Sequence, residues 1–246
     1  MDRWSLVIIL LAVSAVLAGF SLEGGSLAAL WNAPAALIVF GGGLLATLVQ
    51  ISSAQYQPFT ELLSWLVAPP RYSLESLLSK LLASGNALRR DGPLALEKVA
   101  STETDPVMRK ALLLLADGDD AETMESALLL ELKSLEQRDE ELVSILDNLA
   151  GYLPTLGIVG AVLGLMQVLG SIKEPEALAA AIATAFVATF YGVASANLIV
   201  IPLAATLRQR LAVRSRYYEA MMLGIVSLRH GANPMALRFR LQGIVL

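Results

Sequence analysis

The stretch Tyr152–Ile172, YLPTLGIVGAVLGLMQVLGSI, contains no charged residue. A helix that crosses the hydrocarbon core of a bilayer, about 30 Å thick, needs about 20 apolar residues. This run supplies them. Three more runs of the same kind accompany it: Trp4–Leu22, Ala33–Ile51 and Ala180–Leu203. None alternates apolar and polar residues as a barrel strand does, and inside lipid only a helix or a closed barrel satisfies the backbone. The fold class is therefore read as an all-α integral membrane protein with four transmembrane helices. Composition agrees, because 56% of residues are apolar and 16% charged, with mean hydropathy +0.63. A soluble domain carries about a quarter charged residues, and its buried core helices do not account for four such runs.

Orientation follows from Lys and Arg. The segment Glu23–Asn32 has none, and between spans three and four only Lys173 occurs, beside Glu174 and Glu176. Nine lie between spans two and three: Arg71, Lys80, Arg89, Arg90, Lys98, Arg109, Lys110, Lys133 and Arg138. Seven more follow span four, from Arg208 to Arg240. The positive-inside rule then puts both termini and the long segment after span two in the cytoplasm. That segment is acidic overall, with seventeen carboxylates, but the rule concerns Lys and Arg alone. The domain reading is residues 1–51 for spans one and two, 52–150 for a helical cytoplasmic insert, 151–207 for spans three and four, and 208–246 for a cytoplasmic tail. A competing reading takes the run after Arg3, ending in Val16-Leu17-Ala18, as a cleaved signal peptide. Asp2 offsets Arg3 and weakens it.

Enzyme chemistry finds little to work with. There is no cysteine, and the one histidine is His230 in the tail, so no metal site is expected. No phosphate loop ending in Gly-Lys-Ser/Thr and no Gly-x-Ser-x-Gly elbow occurs. The chain is read as a non-enzyme without cofactor, and no nucleic-acid partner is expected.

The insert reads as helical. Leu74, Leu77, Leu78, Leu81, Leu82 and Leu88 recur at helical spacing over Tyr72–Leu88. Asp105-Pro106 reads as an N-cap followed by Pro at the first helical position, and Asp117-Gly118 as the end of that helix. A long helix is expected from Asp120 towards Asn148, with Leu128, Leu132, Leu135, Leu142 and Leu146 on one side. Beyond span four, Arg208, Arg210, Arg214 and Arg216 sit where lipid head groups begin, and anionic lipid is attracted by about 1 kcal/mol per such residue.

Within the last two spans small residues share faces. Pro154, Gly157, Ala161 and Gly164, with Gly160 beside them, line one; Ala181, Ala185, Thr189, Gly192 and Ala196 line the other. Such spacing lets membrane helices approach closely, and it fits packing within one subunit as well as packing on a partner. No span contains an ionisable group near neutral pH. A proton path needs a group that binds and releases protons, so any ion conduction requires a titrating group from another polypeptide.

At this point the sequence resembles a family. Pro154–Leu165, PTLGIVGAVLGL, is similar to the third helix of the A subunit of flagellar motor stators, the MotA/PomA family. Four further segments agree in family order: Pro34–Gly43, Arg89–Glu97, Ala188–Val193 with Asn197 and Pro202, and Gly224-Ile-Val with Gly231–Pro234. The short tail after Arg240 looks most like the MotC variety. The resemblance implies a homo-oligomeric ring of A subunits around single-span B subunits of the MotB/MotD/PomB type. These B subunits supply a membrane Asp and a peptidoglycan-binding domain. It further implies that ion flow past that Asp, lying against the small faces of spans three and four, drives the ring against the rotor protein FliG.

Carried over residue by residue, Arg89 and Glu97 match the charged pair of the family's rotor-contacting face, with Arg90 adjacent. Asp91-Gly92-Pro93 is a turn signal, so the pair need not share a helix. Pro154 and Pro202 match the family's two functional prolines. Thr189 matches a hydroxyl along the ion path, and Ala161 stands where sodium-driven members commonly carry Thr. Gly157, Gly160, Gly164 and Gly192 are helix-packing positions. The expected function is thus a proton-driven stator subunit of the inner membrane. The alternatives are an ExbB/TolQ-type channel subunit, with three spans and the amino terminus outside, or a non-conducting membrane scaffold.

Overall fold

The computed structural model describes residues 3–170 and 175–241, and every regular element among them is helical. The end of the expected third span at Ile172 and the segment around Lys173 lie outside the described residues. The chain forms two compact units, each from two separate segments: Met1–Pro69 with Glu140–Arg208, and Pro70–Asp139 with Gln209–Leu246. The stretches 52–69 and 140–150 belong to the first unit.

The first unit holds the apolar helices. Helix α1 is Arg3–Leu22. After a short 3₁₀ turn at Leu27–Leu30, α2 runs over Ala33–Leu48. It starts at Asn32, whose side chain accepts from the Ala35 N–H, with Pro34 in the first turn. A wider π-helical turn occupies Leu37–Gly41. Helix α3, Ser53–Ser64, opens where Gln55 Oε1 accepts from the Ser52 N–H. Apolar side chains on this unit point outward as often as inward: Ile8, Leu10, Leu11, Leu37, Leu45, Met166 and Phe186 are all more than half exposed. Exposed apolar side chains in such number mark a surface that lipid or another protein covers.

The second unit is built as a soluble domain is. Helices α4 (Leu74–Asp91), α5 (Pro93–Thr102) and α6 (Pro106–Asp117) follow one another. Asp105 caps α6 by accepting from the Val107 and Met108 N–H groups, and Gly118 ends it in the left-handed conformation at φ 80°. Both signals act where the sequence places them. Helix α4 begins two residues later than expected, because the Ser73 side chain caps it, and runs on to Gly92. The core is made by pairs four residues apart, Leu77/Leu81, Met108/Leu112, Met124/Leu128 and Met221/Ile225, each at most 1% exposed. Burying one such side chain contributes about 1.5–3 kcal/mol. Helix α10, Pro234–Leu241, closes it with Leu237.

One expectation is corrected. The sequence separates a helix ending near Asn148 from a span starting at Tyr152, but the chain forms one helix, α7, over Ala121–Gly170. Pro154 lies inside it, and the missing N–H there frees only the Ala150 carbonyl, a loss a long helix survives. The last span is likewise part of a longer helix. Helix α8, Pro175–Ser195, passes through a π-helical turn at Ala196–Val200 into α9, Ile201–Arg229. Two stretches, Ala121–Gln167 and Leu178–Arg229, are long and apolar enough to cross a bilayer, while Val7–Leu22 and Ala33–Leu48 are shorter apolar helices.

Candidate functional site

Glycines decide how α7 meets α8. A Cβ on Gly157 would stand 2.9 Å from the Ala188 carbonyl oxygen and 3.3 Å from Thr189 Cα. On Gly164 it would meet the Ala181 oxygen and the Ala185 nitrogen at 3.1 Å, and on Gly160 the Ala188 methyl at 2.8 Å. From the other side, a Cβ on Gly192 would fall 2.4 Å from the Leu153 oxygen and 3.0 Å from Pro154 Cα. The two helices therefore touch main chain to main chain, as small-residue faces permit. The glycine rows are occupied by each other within one chain.

Ala161 and Thr189 remain at the margin of this contact, both half-buried. The Thr189 hydroxyl donates to the Ala185 carbonyl at 3.2 Å. Pro154 is half-buried, in the turn that Gly192 receives. Pro202 follows the π-helical turn directly, and there the Ile201 N–H bonds the Ala196 carbonyl five residues back. The wider turn gives the proline ring room that a regular helix lacks. No Asp, Glu, Lys, Arg or His lies in 152–167 or 178–203.

A polar node that the sequence reading did not single out ties α2 to α8. Asn32 Nδ2 donates to Thr184 Oγ1 at 2.8 Å, and the Asn32 N–H donates to Tyr191 Oη at 3.2 Å. The Tyr191 hydroxyl donates in turn to the Leu30 carbonyl, and its ring lies 5.5 Å from that of Phe40. The Asn32 carboxamide accepts for the cap through Oδ1 and donates to Thr184 through Nδ2, serving both partners at once. The signal was present as Asn before Ala-Pro, a helix start; the partners more than 150 residues away in sequence were not visible.

The second unit carries the remaining candidates. Arg89 and Arg90 end α4, Gly92 turns the chain at φ 79°, and Glu97 follows on α5. All three charged side chains are exposed. Arg90 pairs with neighbouring Asp91 at 3.2 Å. Arg89 is engaged within the chain, donating to Asn86 Oδ1 at 2.9 Å and to the Ala232 carbonyl at 3.3 Å. Leu94, between them in sequence, is 75% exposed. Deeper in this unit, Tyr218 donates to Asp105 Oδ2 at 3.1 Å, and Tyr72 and Tyr217 pack beside it. Burial, then the charge of Asp105, pushes the Tyr217 phenol up to about 12 and raises Tyr218 as well. These hydroxyls stay protonated at neutral pH.

Comparison with known proteins gives one consistent result. Residues 99–220 match the MotA/TolQ/ExbB proton channel family. Motility protein A of Bacillus subtilis (strain 168) is 29% identical over 242 residues, 98% of this chain and 90% of that protein. Chemotaxis protein PomA of Vibrio alginolyticus is 27% identical over 211 residues, 86% of this chain and 83% of that one. Among solved structures, a chain of C. jejuni MotAB aligns with a TM-score of 0.90 at 25% identity, covering 100% of this chain and 96% of its own. A chain of the flagellar MotAB stator complex from Bacillus subtilis aligns at 0.86 with 29% identity, covering 97% and 94%.

Proposed function

We propose that the chain is a member of the MotA family, within the wider MotA/TolQ/ExbB proton channel family, and that it is an ion-conducting stator subunit of the bacterial flagellar motor. One observation carries the reading. The apolar stretches 152–167 and 178–203 pack backbone to backbone through Gly157, Gly164 and Gly192 and bring no side chain that titrates near neutral pH. A proton path needs a group that takes up and releases protons. This chain supplies walls, and a single-span B subunit of the MotB/MotD/PomB type supplies the membrane Asp. Because the glycine rows are filled within the chain, the partner helix meets the half-buried margin at Ala161 and Thr189.

In this reading the subunit forms a homo-oligomeric ring in the inner membrane. Its four apolar helical stretches span the bilayer, lipid covers their exposed side chains, and both termini and the helical insert lie in the cytoplasm. Arg89, Arg90 and Glu97 face the rotor protein FliG, while bending at Pro154 and Pro202 couples ion passage to motion. The ion is a proton. A sodium ion asks for several oxygen ligands in place of its hydration shell, and Ala161 and Ala188 bring no side-chain oxygen. The near full-length likeness to motility proteins favours the stator over an ExbB/TolQ-type subunit.

The test is swimming with this stator as the only one present, first varying sodium at fixed pH and then adding a protonophore. Speed should be indifferent to sodium and collapse with the protonophore. Speed that follows sodium and survives the protonophore overturns the proton assignment. Failure to support rotation with any candidate B subunit overturns the stator reading.

A further inference from the structure

Arg208 sits on α9 and reaches across to α7. Its Nη2 lies 2.9 Å from Glu140 Oε1 and its Nε 3.4 Å from Glu140 Oε2. Its Nη1 lies 3.2 Å from Asp147 Oδ1, and Nη2 also bonds Asp147 Oδ2. Two edges of one planar guanidinium therefore each hold a carboxylate of the same neighbouring helix. Glu140 and Asp147 are seven residues apart, two turns or about 10.5 Å along α7, and on one face of it. An ammonium group, being a point charge, does not grip two carboxylates so placed.

Holding the fold is a minor use of this arrangement. The side chains of Arg208, Glu140 and Asp147 are 40%, 63% and 41% exposed, and exposed pairs contribute little to stability. What the fork does fix is geometry. It sets the rotation and axial offset of α9 against α7 at one level, and that level is related to both prolines. Asp147 precedes Pro154 by seven residues and Arg208 follows Pro202 by six. Each helix thus has a place with a missing backbone bond and, about 9–10.5 Å away along its axis, a side chain tied to the other helix.

We propose that Arg208 is a positioning residue that makes α7 and α9 move together beyond their prolines, so that torque depends on it while ion flow does not. The inference rests on the stator reading above and deepens it. Bending of either helix alone would stretch the fork, whereas bending of both preserves it. Without the fork, each helix yields separately and ion passage continues with its motion wasted.

The experiment uses the assembled complex in cells with a rotor. It compares membrane abundance, ion flux per complex and stall torque per complex for Arg208→Lys, Arg208→Gln, Asp147→Asn and the Arg208→Gln/Asp147→Asn pair. Abundance and flux should hold in all four, while torque per complex falls about threefold to tenfold in Arg208→Lys and Arg208→Gln. The double variant should be no worse than Arg208→Gln, since both changes cut the same tie. Asp147→Asn keeps the test open if a change at Arg208 prevents assembly. Unchanged torque in Arg208→Gln, or flux and torque falling together, overturns the proposal. A parent complex that neither conducts nor turns a rotor would sink the stator reading instead.

Discussion

At Gly192 an added methyl group would fall 2.4 Å from the Leu153 carbonyl oxygen and 3.0 Å from Pro154 Cα. Both are main-chain atoms and cannot swing aside, so Gly192→Ala must part the helices or bend α7. The expected cost is about 1–3 kcal/mol, as for an overpacked core, read as a lower thermal midpoint of the purified complex. Gly151, with nothing within 4 Å, is the control, and Gly151→Ala should leave the midpoint unchanged or raise it. Glu103 gives a prediction in pH. Burial works against its charge, but Lys80 Nζ at 2.8 Å and the N–H groups of Asp105 and Thr104 outweigh that, and its pKa is lowered from the ordinary 4.5. A carboxylate held this way stabilises the fold fully above the unfolded-state value, and the benefit is lost as pH falls through the lower folded value. Glu103→Gln should therefore cost about 1–3 kcal/mol at neutral pH and flatten the fall in thermal midpoint on acidification. An acid limb as steep as the parent's would contradict it. The glycine faces were legible from spacing, whereas their partner was not, since the same pattern serves either side of a subunit boundary.

At the scale of the element, local chemistry was readable and long-range chemistry was not. Asp105-Pro106 and Gly118 bound α6 because a cap acts on N–H and C=O groups within a few residues. The Asp91-Gly92-Pro93 turn separates Arg89 from Glu97 for the same reason. The continuity of α7 was hidden because Asp147 and Pro154 look like a boundary, and a helix tolerates one missing donor when both flanks are packed. The π-helical turn before Pro202 was also hidden, although the proline marked the place. Replacing that proline makes a sharp test. Pro202→Ala restores a donor for the Leu198 carbonyl and lets Ala196–Val200 tighten, with helix propensity favouring the change by up to about 3 kcal/mol. The expected outcome is a thermal midpoint that is equal or higher while swimming speed falls steeply. Wild-type swimming in the variant would show the turn to be incidental.

For the whole molecule, five motifs in order pointed to the family, and hydropathy located the long apolar helices. The side-chain ties did not show, because Arg208 meets Asp147 across 61 residues and Asn32 meets Tyr191 across 159. The surface proposed to face the rotor belongs to this scale. Arg90→Glu with Glu97→Lys should leave abundance and ion flux intact, since exposed pairs contribute about 0–1 kcal/mol, and should abolish torque. Adding Arg89→Glu also cuts its bond to the Ala232 carbonyl, so the double variant is the cleaner measurement. Full torque from it would remove this surface from the rotor contact. The interleaving of the two units also bears on how the chain is made. The second unit ends its first segment at Asp139 and resumes at Gln209, so its core waits for Met221, Ile225 and Leu228. At about 5–20 residues per second, those side chains leave the ribosome roughly ninety residues after Asp139, on the order of 5–20 s later. During that interval Leu77, Leu81, Met108 and Leu112 lack part of their cover. The newborn chain passes through a stage in which helpers that shield greasy surface have time to act.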